Sequence, residues 1–377
     1  MTNATQKPKE QVSNLQLLII VIASTTAFGH FVYVRLAILF AGRNDWISLI
    51  IASIIGTGIV YLHLKVAVKP NRSLIEHVLK VFGKYLGGVF SVVYLLFFTF
   101  AAAITIKVVT DFMGLIYPTT PPAVFLLFEL SLVAWGVYSG VEVMARAMTI
   151  LLPPMMLLGV LASLLSAKDK DFTNVYPMLH AGVSSIAFGT LAFIAMFSEL
   201  VAFSVFADHA SDQTKLPRQS LYLGLVLFLM FLSPATGPIM VFGEGLAKEL
   251  AFPTYTEIQY IRISNIIERL DIVGILLWTI GSFFRITMFM FAAVKGMSKL
   301  LNSDRINTFT FPVLLLTAAV SLSLLGSSRE DLYHFLGAYY IYIAPCVGLG
   351  LPLLTGIVYW GKKRFTGRAR QQGVQGP

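Results

Sequence analysis

Apolar runs of about 20 residues alternate with short polar stretches along nearly the whole chain. A helix rising about 1.5 Å per residue needs a run of that length to cross a hydrocarbon core about 30 Å thick. The pattern predicts membrane helices at about 15–40, 46–67, 86–116, 123–139, 142–166, 184–207, 219–242, 271–300, 309–326 and 333–360. Barrel strands would instead alternate in polarity over about ten residues, and no such segment occurs, so the predicted class is an all-α polytopic membrane protein. Residues 71–85, "NRSLIEHVLKVFGKY", set charges between Leu74, Ile75, Val78, Leu79 and Phe82, which predicts an amphipathic helix on the inner interface. Residues 244–270 are too polar to cross. They read equally as a short helical cap over the outer mouth or as a surface loop.

Composition agrees: 56% of the 377 residues are hydrophobic and 12% charged, too few polar side chains to cover a soluble globule. The net charge of +9 would suit nucleic acid, but the basic residues gather in particular loops and at the C-terminus, which topology explains better. With the N-terminus inside, the inner segments hold 18 of the 28 Lys and Arg, the outer segments seven, and the spans Arg35, Lys107 and Arg285. The positive-inside rule then puts both termini in the cytoplasm. Three parts are expected: a cytoplasmic N-terminal tail at 1–14, a ten-helix transporter-like domain at 15–360, and a basic, disordered cytoplasmic tail at 361–377. The first apolar block is too long for a signal peptide and lacks a small-residue cleavage site, so it reads as a retained helix. The single cysteine, Cys346, rules out an intrachain disulfide.

A charge at mid-bilayer is costly, by about 2.5–3.5 kcal/mol even on insertion scales, so depth ranks the three intramembrane cations. Arg35 and Lys107 fall near the outer interface, where they can snorkel. Arg285, in "SFFRITMFMF", lies about 14 residues or roughly 21 Å below the outer end of the eighth helix. Glu199, in "FIAMFSEL", lies about 15 residues down the sixth helix, at nearly the same depth. The pair admits two main readings: a structural ion pair fixing helix register, or an arginine fork offered to a ligand carboxylate in a central cavity. Inward snorkelling of Arg285 is the third.

Other polar groups favour plainer roles. Glu129 and His30 are expected in interhelical hydrogen bonds, and Glu142 pairs with Arg146 at i, i+4. Gly56-Thr57-Gly58 suits close helix packing rather than phosphate. No HExxH, phosphate loop, Cys-x-x-Cys or nucleophile elbow occurs, so neither an enzyme nor a metal or other cofactor is expected.

Two helices carry weak points: "ASTTAFGHF" (Ala23 to Phe31, with Thr25 and Gly29) in the first, and "AFGTLAFIAMFSE" (Ala187 to Glu199) in the sixth. They open corresponding halves of a five-plus-five arrangement, where inverted-repeat transporters place discontinuous helices around a midplane site. A binding site between helices 1, 3, 6 and 8 follows, with Thr25 and Glu199 among its candidate ligand contacts and Tyr94, Phe97, Phe98 and Trp278 lining or supporting it.

The chain resembles the B subunits of bacterial spore germinant receptors (GerAB type), of the amino acid, polyamine and organocation transporter superfamily. The resemblance rests on "DWISLI" (Asp45 to Ile50), "SLIEHVLKVFGKYLG" (Ser73 to Gly87), "NVYP" (Asn174 to Pro177), the "FSE" ending at Glu199, and "ERLDIVGILLW" (Glu268 to Trp278). It implies ten helices in a five-plus-five inverted repeat (LeuT/APC-like) with interrupted helices 1 and 6, a nutrient pocket, and residence in the spore inner membrane. It also implies two partners, a membrane A subunit and a C-subunit lipoprotein. Carried onto this sequence, the pocket positions are Phe28 and Gly29, Phe97 and Ala101, Met196 and Phe197, and Arg285 and Phe289. The chain departs from the pattern at "FGHFVYVR", where Phe28 and Arg35 stand in place of Gly and Pro, so the extent of the first break is open. The implied function is nutrient sensing that triggers germination, with an amino acid as the default nutrient. A proton- or sodium-coupled amino acid permease and a ligand-free scaffold subunit are the alternatives.

Overall fold

A computed structural model describes residues 12–66, 72–176, 182–261, 271–303 and 305–372. The predicted N-terminal tail, Pro177 of "NVYP" and the polar stretch at 262–270 therefore lie wholly or mostly outside the described residues. The helices are α1 (Asn14–Phe28), α2 (Val34–Ala41), α3 (Asp45–Val66), α4 (Leu74–Ile116), α5 (Pro122–Leu165), α6 (Gly182–Ser198) and α7 (Val201–Phe206). There follow α8 (Leu216–Glu249), α9 (Pro253–Tyr260), α10 (Asp271–Leu300), α11 (Thr310–Leu325), α12 (Arg329–Phe335), α13 (Ile341–Pro345) and α14 (Leu351–Gln372). Among the described residues the only β pairing is an isolated bridge between Val12 and Ala210.

Seven helical runs are long and apolar enough to cross a membrane, and Gly182–Ser198 is a shorter apolar helix. The chain is a multi-pass membrane protein. Two runs, of 52 and 48 residues, are about twice the length one crossing needs. Ten crossings would require both to cross twice and α6 with α7 to cross once.

Glycines make the bends inside the merged runs. Gly42 (φ 54°) ends α2, Gly140 (φ 84°) divides α5, and Gly243 (φ 75°) sets the last turn of α8 at an angle to the rest. Gly83 (φ 80°, ψ 179°) separates the expected amphipathic segment from the membrane part of α4. That segment starts with a capping box, Ser73 with Glu76, and buries Leu74, Ile75 and Val78 against the bundle. At Gly83 a Cβ would meet nothing within 4 Å, so the cost of substitution is purely one of backbone conformation. Gly83→Ala should cost about 1–3 kcal/mol, because ψ near 180° at positive φ is a region only glycine enters readily. Gly88→Ala, equally open but without positive φ, should leave the thermal midpoint in detergent unchanged or slightly higher.

The 244–270 region is helical where described: the end of α8, then α9, whose Tyr255 packs on Phe112 and Trp278. The helical reading, rather than a plain loop, holds for those two elements. The tail expected to be disordered from Gly361 is helical to Gln372 as part of α14.

One expectation for the intramembrane cations needs correction. Lys107 does not snorkel. It is buried and bonds Asp111 one turn on at 2.7 Å and the Ser327 carbonyl at 3.1 Å, because the neighbouring carboxylate removes the need to reach water. Arg35 is half-buried, donates to the Ala251 carbonyl at 3.0 Å and stacks over Tyr333 at 4.0 Å. Glu142 and Arg146 pair as expected. The expected hydrogen bond of Glu129 is missing at Oε2, which has no partner among the described residues.

The interruption of the first helix is a π turn, Gly29–Tyr33, between α1 and α2, rather than an unwound stretch. Gly29 itself is helical (φ −59°, ψ −43°). Ser24, Thr25 and Thr26 return their hydroxyls to the carbonyls of Val21 and Ile22, so the side chains that signalled weakness bond back onto the helix. The sixth helix breaks at Glu199 and Leu200, between α6 and α7, where tighter i to i+3 bonds replace the α pattern: Glu199 to Met196, Leu200 to Phe197, Ala202 to Glu199. At one end of the bundle Val12 exchanges backbone bonds with His209 and Ser211, and the Asn14 amide reaches the Asp212 carbonyl at 2.6 Å and Gln219 at 2.8 Å. The start of α1 is thus tied to the segment that follows α7.

Candidate functional site

α10 packs against α4, α1 and α5, which carries Arg285 to the middle of the bundle, 1% exposed. The guanidinium and Glu199 form a two-pronged pair, Nη1 to Oε2 at 2.8 Å and Nη2 to Oε1 at 2.7 Å. Equal depth in two helices made this meeting possible, one of three readings the sequence left open. The break in the sixth helix supplies its local cause, since Glu199 stands in the non-α turn between α6 and α7.

Two further donors of the guanidinium have partners. Nε bonds the Thr105 hydroxyl at 2.8 Å, and that hydroxyl donates to the Ala101 carbonyl at 2.7 Å. Nη1 also reaches the Ser24 carbonyl of α1 at 3.5 Å. The Tyr340 hydroxyl donates to Glu199 Oε1 at 2.7 Å. The flat faces of the guanidinium meet the rings of Phe28 at 3.9 Å and Phe289 at 4.7 Å. Such contacts contribute about 0.5–1 kcal/mol at exposed sites and about 2 kcal/mol when desolvated. Tyr33 lies near the same carboxylate, but its buried hydroxyl falls outside hydrogen-bond geometry with any described residue.

Of the residues expected at the pocket, Phe28, Glu199, Arg285 and Phe289 meet directly. Ala101 joins through Thr105, and Phe97 through Tyr340, on which it stacks at 6.3 Å with an 11° angle. Others stand apart from the guanidinium. The side of Gly29 faces Phe231 and the Met196 sulfur, and Thr25 bonds its own helix. Phe197 turns toward α3, where a Cβ on Gly56 would lie 2.6 Å from it, so the packing reading of Gly56-Thr57-Gly58 holds for Gly56 but not for Gly58, where a Cβ would meet nothing within 4 Å. Trp278 lines no part of the Arg285 site. It sits among Phe31, Phe112 and Tyr255, with Nε1 3.4 Å from His30 Nδ1, which gives His30 its expected interhelical bond.

Thr105 and Tyr340 went unnoticed in the sequence. Thr105 had one available signal, being one helical turn after Ala101 on the same face of α4. Tyr340 had none, because its place depends on the π turn Leu336–Tyr340.

Five segments (α1, α4, the α6–α7 break, α10 and the π turn at Tyr340) converge on one charged pair. Chemically, such a centre can exchange partners: a ligand carboxylate presents the same two oxygens to the arginine fork that Glu199 presents. Toward the α7 end, Lys295 of α10 bonds Asp208 and the Val205 carbonyl, so α10 holds the segment after the break as well as Glu199 within it. Among the described residues, no group of three or more His, Cys, Asp or Glu is placed to hold a metal ion.

The sequence matches the family described as "Spore germination protein" across residues 11–329. It is 28% identical over 334 residues to Spore germination protein KB of Bacillus subtilis (strain 168), covering 86% of this chain and 89% of that protein. It is 26% identical over 357 residues to Spore germination protein XB of Bacillus anthracis, covering 93% and 98%. Among solved structures the chain is similar to MhsT, crystallised in complex with L-phenylalanine, with a TM-score of 0.61 at 16% identity and coverage of 93% of this chain and 89% of that one. The fold is therefore of the LeuT type, a transporter architecture.

Proposed function

Since the chain belongs to the spore germination protein family, whose role is germinant-receptor or permease-like rather than enzymatic, we propose that it is the nutrient-binding subunit of a germinant receptor. One observation carries the reading: Arg285 and Glu199 pair across the break of the sixth helix. A nutrient carboxylate competes with Glu199 for the guanidinium, and the displaced Glu199 and Tyr340 move the break. A ligand shifts a two-state element only by its difference in affinity for the two states, and exchange of an ion-pair partner supplies such a difference. An amino acid fits best. Its carboxylate suits Arg285, and Phe28, Phe97 and Phe289 offer apolar surface to its side chain. The structural neighbour solved with L-phenylalanine is in keeping with that choice. The wider reading includes the spore inner membrane, both termini in the cytoplasm, and signalling to an A subunit and a C-subunit lipoprotein.

Ala101 is buried on α4 beside Thr105, so a larger side chain there narrows the space a ligand would use while leaving the ion pair formally intact. Spores carrying Ala101→Phe should need at least about tenfold more nutrient for half-maximal germination, a change of about 1.4 kcal/mol in binding, with the subunit present at normal level by immunoblot. An unchanged dose-response would sink the reading in favour of a scaffold subunit. Nutrient uptake by vesicles containing this chain alone would favour a permease.

A further inference from the structure

On another face of α1 from the one that meets Arg285 lies a separate cavity of about 240 Å³ between α1, α5, α8, α9 and α10. Ala23, Ala27 and Trp278 form its floor, and Leu152, Met155 and Met230 its apolar walls. One flank opens on the outside of the bundle at Val160, Leu164 and Leu229, which are 56%, 65% and 59% exposed. These residues belong to helical runs apolar enough to span the membrane, so that opening faces lipid.

The end of the cavity near the terminus of α5, beside that opening, is polar. Ser163 bonds Ser233 at 2.6 Å, and Glu257 accepts from Ser166 at 2.9 Å and pairs with Lys170 at 3.2 Å. Burial raises the Glu257 carboxyl above its ordinary range, opposed by Lys170 and Ser166. Thr254, 6% exposed, lines this end with a hydroxyl that has no partner among the described residues. Buried polar atoms are normally satisfied, so the unpaired hydroxyl of a residue lining the cavity marks a group to which a ligand atom supplies a bond once the threonine side chain turns it toward the opening.

Polarity thus rises from the depth of the membrane toward its surface, in the same sense as in an amphiphile. Lys170 and Glu257 neutralise each other, so a charged ligand would find no counter-ion left over. The volume lies below the roughly 300–1,000 Å³ of sites for drug-sized ligands. We propose that this cavity binds a small, neutral amphipathic molecule taken from the bilayer, an apolar ring or short chain whose single hydroxyl or amide head bonds Thr254. Its occupant rests against α1 at Ala23, Thr26, Ala27 and His30, next to the π turn, so it bears on the helix that also contacts the Arg285 centre. The assignment is independent of the nutrient reading.

Trp278 is 3% exposed, so bulk lipid does not reach it but a cavity occupant does. In the full chain with Trp46, Trp135 and Trp360 replaced by phenylalanine, reconstituted in phosphatidylglycerol–phosphatidylcholine nanodiscs, 4-bromobenzyl alcohol should quench Trp278 saturably, and benzyl alcohol should relieve the quenching. Thr254→Val should weaken the probe about fivefold, the loss of one hydrogen bond. Gly159→Phe, whose new side chain starts in open space at the cavity's edge, should abolish saturation while leaving the thermal midpoint in place. The proposal is overturned if quenching rises in simple proportion to the probe, or if it saturates equally in both variants. It is also overturned if brominated phospholipid quenches Trp278 without any probe, which would make the occupant a lipid chain.

Discussion

Arg285→Ala should lower the stability of the purified protein by about 3–5 kcal/mol, because it leaves Glu199 as an uncompensated charge among buried side chains. The penalty comes mostly from the stranded carboxylate and only partly from the lost attraction. Removing both charges should therefore restore most of the loss. Arg285→Met with Glu199→Gln keeps an acceptor for the Tyr340 hydroxyl and fills the guanidinium's place with apolar atoms. This double variant should melt within about 1–2 kcal/mol of the parent. Nutrient response separates a binding role from a structural one. If the pair only fixes helix register, germination returns together with stability in the double variant; if the arginine binds the nutrient, stability returns and germination does not. A single Arg285→Ala protein that melts within about 0.5 kcal/mol of the parent, as ordinary surface substitutions do, would show that the pair is not the closed, dry contact described above.

The Arg285–Glu199 pairing was legible in the sequence because helices in a membrane obey a simple rule: rise per residue converts position into depth. Two charges at one depth in an apolar medium find each other, and register needs no finer input. Lys107 shows where depth alone misleads. Asp111 lay one turn away in plain view, yet its distance from the interface suggested snorkelling, and the local pair proved the nearer remedy. The form of the first interruption was not legible. Serine, threonine and glycine in sequence signal a helix that can open, but Ser24, Thr25 and Thr26 bond back to their own helix, and the irregularity shrinks to a π turn one residue past Phe28. Which way an aromatic ring points was equally hidden. Phe97 and Phe197 are both buried phenylalanines beside the site in sequence terms, yet one stacks on Tyr340 and the other fills the gap left by Gly56. That choice is made by the packing of neighbouring helices, which hydrophobic periodicity does not encode.

Gly348→Ala should be among the most damaging single-methyl changes in the chain. Gly348 lies in the π turn Cys346–Gly350, where α13 and α14 join. A Cβ there would fall inside contact distance of the Ser198 carbonyl oxygen, 2.6 Å from the carbonyl carbon and 2.9 Å from Ser198 Cβ. At Gly29 the obstacle is the Phe231 ring, and at Gly224 the Thr57 side chain, either of which can rotate away. At Gly348 the obstacle is backbone, so α6 and the last helical run must separate. Overpacking of this kind costs about 1–3 kcal/mol. Its consequence for function follows from the position of Ser198, the last residue of α6, immediately before Glu199. Moving the two segments apart lengthens the Tyr340–Glu199 bond and loosens the carboxylate that competes for Arg285. The variant should therefore melt lower and, at a temperature where it remains folded, respond to less nutrient than the parent. Gly350→Ala, whose Cβ would meet the Pro345 carbonyl at an ordinary 3.7 Å, serves as the control and should change neither property. A Gly348→Ala protein with a lower midpoint but an unchanged nutrient dose-response would uncouple the helix-6 break from sensing, leaving Arg285 to act through ligand contact alone.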